Sequence, residues 1–301
     1  MSAIPAALAT AVALGGAGAA AGLALPYRPR VPVVGVLTAG VGVAGVVAGA
    51  AALSGSRWAA VCSGLVPPAG AQVAVDALAG LFMAVAGAVV AAVAVYGIGY
   101  AAGRGAGGLG SRTAQAVLPL FALSLVLVPV AASVSTFLLL WEVSALGSLL
   151  LVLGEHQQHA SVRQAGVWYA VLTHLGLVLL LAGFSLFAAR AGGETFTALR
   201  AGAPGVPAGV RGLVFALLAL AFTSKAGAVP LHAWLPRAYP EAPGPVAALM
   251  SAATVNLGIY GLVRTASICS AVARRGGGWG CWRWAGRVPC TASSRRRWRP
   301  T

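Results

Sequence analysis

The sequence predicts an all-α fold: a polytopic transmembrane helix bundle of about eight spans, the seventh of them broken. Three observations predict it. Hydrophobic residues make up 59% of the 301 positions and charged residues only 8%. A water-soluble domain carries about 25% charged residues, so this chain lacks the charge to cover a surface in water. The apolar stretches are continuous and about twenty residues long, the length at which a helix crosses a bilayer. A transmembrane barrel shows short alternating segments instead. Finally, the links between stretches are short and carry Pro, Gly and Arg, as in "PYRPRVP" and "RGAGGLGSR". Mean hydropathy is +0.88.

Taken in order, the spans run roughly over 4–25, 32–54, 76–101, 114–132, 134–154, 165–189, 211–232 and 245–266. The first, "MSAIPAALATAVALGGAGAAAGLAL", lacks a positive n-region and is too long for a signal-peptide core, which makes it a retained span. The first two are rich in Ala, Gly and Val, small residues that let helices approach closely in lipid. Arginines divide six to five between the two sides, a slight lean toward an outside N-terminus that leaves orientation open.

Residues 1–270 read as a membrane domain and 271–301 as a segment different in kind. The latter, "AVARRGGGWGCWRWAGRVPCTASSRRRWRPT", holds half of the chain's 8 tryptophans and no span-length apolar run. Two readings stay open: a basic tail that binds anionic lipid, or coding sequence read out of frame. No packed fold is expected there.

The net charge of +15 does not imply nucleic-acid binding, because aromatic and basic residues are not interleaved on a soluble face. The 4 cysteines show no CxxC pair and no histidine at ligand spacing, so neither a metal site nor a disulfide framework is expected. No GxGxxG motif follows a strand and no cysteine cluster exists to hold an iron–sulfur centre, so no cofactor is expected on this chain.

Polar residues inside spans are costly and mark function. Of 5 acids, Asp76, Glu155, Glu194 and Glu241 lie at segment ends or in loops. Glu142 does not: it sits mid-span in "STFLLLWEVSALGSLLLVL". In the seventh span, "LLALAFTSKAGAVPLHAWLP" carries Lys225, the only lysine among 20 Lys and Arg residues. An acid and a base at mid-depth offset each other's desolvation, and the charge of each then depends on the nearness of the other. Lysine suits such a site because, unlike arginine, it can give up its proton when buried.

Pro230 supplies no backbone donor, so the Ala226 carbonyl beside Lys225 is expected to lose its helical partner. A broken helix at membrane depth lines a water-filled or protein-enclosed cavity; a plain proline kink is the alternative. His174 on the sixth span is either a packed structural residue or a proton relay. Asn256 on the eighth cannot carry a proton but can hold water or bridge helices. His232 is expected to anchor the broken end near the interface.

The stretches "LLLWEVSALGSLLLVLGE", "AGVWYAVLTHLG", "SKAGAVPLHAWLPRAYPEAPGPVAALMSAATVNLGIYGLVR" and "VDALAGLFMAVAGAVVAAVAVYGIGY" together resemble the antiporter-like, proton-translocating membrane subunits. That family serves respiratory complex I, Mrp-type cation/proton antiporters and membrane-bound hydrogenases. The wording "YAVLTHLG" and "HAWLPRAYPEAP" looks nearest to the hydrogenase-4 component B and formate hydrogenlyase subunit 3 branch. The likeness covers roughly 75–266 and is most specific from Lys225 to Arg264.

The resemblance implies two inverted repeats, each with a broken helix carrying a lysine. Spans four to eight would form the first repeat, with Glu142 and Lys225 paired as a coupling element; relatives move protons through a hydrated mid-membrane axis of polar residues, and the residues expected to serve proton translocation here are Glu142, Lys225, His174 and Asn256. It further implies a proton-translocating subunit in a cell membrane, expected to be a bacterial inner membrane. Its partners would be other membrane subunits, redox subunits that carry the cofactors, and lipid, with no nucleic acid. A Mrp-like antiporter subunit and a non-conducting remnant are the alternatives. Relatives usually place a lysine where Asn256 stands, or a histidine near Ser251, and this chain has neither. The second repeat is also missing, so the sequence reads as the first half of such a subunit.

Overall fold

The computed structural model describes residues 3–64, 70–103, 105, 107–155 and 160–270. The segment 271–301, read above as a tail, lies outside the described residues. Among those described, 8 helices are long and apolar enough to cross a membrane. The chain is a multi-pass membrane protein, and its eight spans fall where its apolar runs place them.

The elements are α1 (Ala3–Ala24), α2 (Tyr27–Leu53), β1 (Trp58–Cys62), β2 (Ala71–Val75), α3 (Ala77–Ala102), α4 (Arg112–Leu127), α5 (Val134–Val152), α6 (Ala160–Ala191), α7 (Phe196–Gly202), α8 (Ala208–Lys225), α9 (Leu235–Glu241), α10 (Gly244–Leu249) and α11 (Val255–Ser270). A π-turn over Met250–Thr254 joins α10 to α11, and together they make the eighth span, Gly244–Cys269. Polar caps start several helices. Asp76 accepts from the Ala79 N–H at 2.8 Å, Ser111 from Ala114 at 3.2 Å and Ser133 from Thr136 at 3.3 Å.

The small residues of the early spans act as expected. At the α2–α3 crossing, a Cβ on Gly42 would lie 2.5 Å from the Gly87 carbonyl oxygen, and one on Gly87 would lie 2.5 Å from that of Gly42. Backbone meets backbone there, and contact of this kind replaces the hydrophobic driving force that lipid does not provide. A second core gathers aromatic rings from α5, α6 and α8. Trp141 stands 5.5 Å from both Phe137 and Phe222, ring centre to centre.

Two features depart from the sequence reading. The link after the second span contains an antiparallel hairpin, β1–β2, with Trp58 opposite Val75 and Cys62 opposite Ala71. It joins the turns at that end of the bundle: Ala132 N–H donates to Gln72 O at 2.9 Å, and Phe196 N–H to Ala132 O at 2.9 Å. Arg30, counted above as a loop charge, is only 3% exposed. Helix α2 begins at Tyr27 and carries it inward, where Nη2 donates to the Gly110 carbonyl at 2.8 Å.

Candidate functional site

The site is built on the end of α8. The helix stops at Lys225, well ahead of Pro230. Gly227 adopts a left-handed φ of +71°. Its N–H donates to Ser224 O at 3.1 Å, and the Ala228 N–H donates to Thr223 O at 3.0 Å. This is a Schellman motif, which satisfies the last carbonyls of a helix through a glycine. The break is therefore the work of Gly227, not of Pro230 as the sequence reading had it. Pro230 is exposed in the turn beyond, and the Val229–Pro230 bond is cis. Trp234 folds back under the broken end, and its indole N–H donates to Ser224 O at 2.9 Å.

Ending the helix here leaves the Lys225 side chain inside the bundle, 6% exposed. Its Nζ donates to the Tyr169 hydroxyl at 3.3 Å, and that hydroxyl lies 2.8 Å from Ser148 Oγ. The rings of Trp141 and Tyr169 stand 5.8 and 5.5 Å from Nζ, within cation–π range. A void of about 10 Å³ adjoins the amine, bounded by Trp141, Thr173, Ser224 and Trp234. That is room for about one water.

The expected direct pairing of Glu142 with Lys225 is not made. Among the described residues no carboxylate comes within 4.0 Å of the lysine. Glu142 on α5 instead meets His174 on α6, Oε1 to Nε2 at 3.2 Å. The other ring nitrogen, Nδ1, lies 2.8 Å from Ala170 O. A hydrogen bond there fixes the tautomer that leaves Nε2 free to accept a proton. Side-chain exposures of 46% for His174 and 23% for Glu142 put this pair at the edge of the bundle. The second carboxylate oxygen, Oε2, is buried with no hydrogen-bond partner. The physical reason for two pairs rather than one is helical phase. Trp141 and Thr173 bound the lysine's void, and their sequence neighbours Glu142 and His174 are each turned about 100° onward around the helix axis.

Asn256 lies just past the π-turn, and its side-chain amide donates back to Ala252 O in that turn, within the same span. Among the described residues its side chain makes no hydrogen bond to another span. His232 is exposed in the turn after the break. Lys225, Glu142 and His174 thus come from three consecutive spans, and among the described residues no hydrogen bond or ion pair joins Asn256, His232 or Pro230 to them.

Sequence reasoning missed Tyr169 and Ser148. The i, i+4 spacing of Ser144 and Ser148 in "SALGS" was an available signal for a polar stripe. It also missed a pair at one end of the bundle. Asp76, placed above at a segment end, and Arg264 form a bidentate bridge of 2.6 and 2.9 Å. Arg264 Nε further donates to Tyr260 Oη at 3.0 Å, and Tyr260 donates to Pro129 O at 2.9 Å.

Burial pushes the Asp76 carboxyl up, but the Arg264 hydrogen bond, the Ala79 N–H and the charges of Arg264 and Arg200 outweigh it and hold the group below its ordinary value. A lowered folded-state pKa stabilises the fold above the unfolded value of about 3.9, and that stability is lost as pH falls through the folded value. Asp76 is 48% exposed, so screening limits the effect to about 1 kcal/mol. Thermal melts in detergent are expected to show wild type losing stability between neutral pH and pH 3 more steeply than Asp76→Asn. Parallel curves would mean the bridge contributes nothing to folding.

The comparisons with known proteins agree with this architecture. The family described as NADH:quinone oxidoreductase/Mrp antiporter, TM, matches residues 131–275. An uncharacterized protein of Mycobacterium tuberculosis is 52% identical over 230 residues, 76% of this chain and 34% of its own length. Hydrogenase-4 component B of Escherichia coli is 32% identical over 194 residues, 64% of this chain and 28% of that protein. The chain thus spans about a third of the length of the relatives it matches. Among solved structures, a chain of an archaeal membrane-bound sulfane sulfur reductase superposes with a TM-score of 0.71 at 20% identity, over 90% of this chain and 53% of that one. A chain of the Mrp complex from Dietzia sp. gives 0.67 at 20% identity, over 88% of this chain and 48% of that one. From Ala131, just before α5, through the last span, the chain matches the family described as NADH:quinone oxidoreductase/Mrp antiporter, TM.

Proposed function

We propose that this chain belongs to a proton-translocating membrane subunit of a complex I-like NADH–quinone oxidoreductase or a hydrogenase-4-type complex. In that reading electrons move on partner subunits, and this chain moves protons. The observation that carries it is Lys225: a buried amine at a broken helix end, lining a water-sized void, with a hydroxyl for a partner and, among the described residues, no carboxylate within 4.0 Å. A structural lysine at such depth would be expected to hold an acid permanently, because an unpaired buried charge is costly. An amine left without one can change its protonation state, and that change is what translocation needs. The Glu142–His174 pair, one helix face away, supplies an acid and a base able to exchange a proton with each other.

The test is electron-driven proton uptake in inverted membrane vesicles holding the whole complex. Glu142→Gln is expected to cut uptake about a hundredfold or more, while electron transfer measured with the gradient collapsed stays within about twofold, since positioned proton-transfer groups contribute at least about a hundredfold. Uptake equal to wild type would sink the assignment. Sodium- or potassium-dependent proton flux without any reductant would move the chain to the cation/proton antiporter reading.

A further inference from the structure

We propose that Tyr169, backed by Ser148, is a positioning residue that holds Lys225 as a hydrogen-bond donor and closes one side of it to proton traffic. The inference rests on the proposed role of Lys225 and adds the direction from which its proton can leave. The three groups form a buried line: Lys225 Nζ to Tyr169 Oη at 3.3 Å, then Tyr169 Oη to Ser148 Oγ at 2.8 Å. Ser148 is within reach of two helix carbonyls, Ala145 O at 2.8 Å and Ser144 O at 2.9 Å.

The hydrogens of this line can be assigned from chemistry. A carbonyl oxygen only accepts, so the single hydrogen of Ser148 Oγ points at the backbone. Ser148 then accepts from Tyr169, whose only hydrogen is thereby committed. Tyr169 is left with a lone pair toward Lys225, and an ammonium offers hydrogens alone. Every member is satisfied in one direction: ammonium to phenol, phenol to serine, serine to carbonyl. Ser148 and Tyr169 are 0% and 1% exposed, so no solvent competes for these hydrogens.

Two consequences follow from that order. The line ends on a helix carbonyl, which can pass no proton onward, so it is a clamp and not a wire. Tyr169 also presents an acceptor and no donor, which suits the charged amine and gives the neutral amine's lone pair nothing to accept. The proton must leave by another route, and the void that Lys225 itself lines with Trp141, Thr173 and Ser224 has room for about one water. In that step an N–H bond of the ammonium breaks, the proton passes to the water, and the electron pair stays on Nζ as a neutral amine.

The test exploits Lys225 being the one lysine in the chain. Selective nitrogen-15 lysine labelling of the full chain in lipid nanodiscs gives one side-chain Nζ signal. Exchange of its hydrogens with water, at fixed pH, reads how firmly the amine is held. Tyr169→Phe keeps the ring and removes the hydroxyl; exchange is expected to quicken about tenfold, as for loss of one hydrogen bond to a charged group. Ser148→Ala leaves every contact of Lys225 in place and frees only the far end, and a smaller rise, about threefold, is expected. Wild-type exchange in a folded Tyr169→Phe sample overturns the clamp, and so does wild-type exchange in Ser148→Ala. If Tyr169→Phe loses its helical circular dichroism, the serine variant decides alone. The readout needs no transport: exchange that responds in a complex that moves no protons keeps the clamp and sinks the proposed function, and the converse pattern sinks the clamp alone.

Discussion

Replacing Lys225 with glutamine is expected to abolish proton movement while leaving the bundle intact. Glutamine approximates the length of lysine and can still donate to the Tyr169 hydroxyl, but it never binds or releases a proton. It also removes a buried charge that, among the described residues, has no acid within 4.0 Å, so the fold should lose little stability. General acid–base groups contribute about 100- to 10,000-fold, so electron-driven proton uptake should fall at least about a hundredfold. Arginine at the same place is the sharper control. It retains the charge and the donor toward Tyr169 but stays protonated at any accessible pH. It should be equally inactive, which would separate the need for a cation from the need for a titratable one. Dye-reported proton uptake in vesicles holding the intact complex measures both. Undiminished uptake in the glutamine variant, or activity in the arginine one, would end the assigned role.

A large structural effect that reaches the site is expected from Gly258→Val. A Cβ there would lie 2.7 Å from both the Phe222 carbonyl oxygen and the Ala226 N–H nitrogen. Those are backbone atoms of α8 and its cap, and they cannot rotate aside as a side chain can. Overpacking a well-filled core costs about 1–3 kcal/mol, and more where backbone must shift, so about 3 kcal/mol or above is expected. The damage would not stay local. Ala226 follows Lys225 directly, and pushing α8 away from α11 moves the amine off Tyr169. The variant should therefore lose both thermal stability in detergent and the slow exchange of the Lys225 amine. A melting temperature equal to wild type would show that the two helices are free to separate at this crossing, against the geometry described.

The limits of sequence reading show at individual residues. The break in the seventh span was visible, and the wrong residue received credit for it. Pro230 is the conspicuous helix breaker, yet "SKAGA" already contains the left-handed glycine position that ends the helix at Lys225. Glu142 and His174 were both singled out, but each was set in relation to Lys225 rather than to the other. Their pairing depends on how α5 and α6 are rotated about their axes, and hydrophobicity that runs all round a span carries no phase. Asp76 and Arg264 stand 188 positions apart and look like ordinary segment-end charges until folding brings them to 2.6 Å. Arg30 looks the same and is buried, because α2 starts a turn earlier than its apolar run.

What the sequence determined by itself is the class of environment and the set of ionisable groups placed in it. Lipid tolerates only backbone that bonds within its own helix, so apolar length alone fixes eight spans. The cost of charge in hydrocarbon likewise marks Lys225 and Glu142 as purposeful wherever they point. What the tertiary structure decided is partnership: lysine with tyrosine and serine, glutamate with histidine, aspartate with arginine. Hydrogen bonds act over about 3 Å and depend on direction, and only the packing of one helix against the next sets distances and directions at that scale.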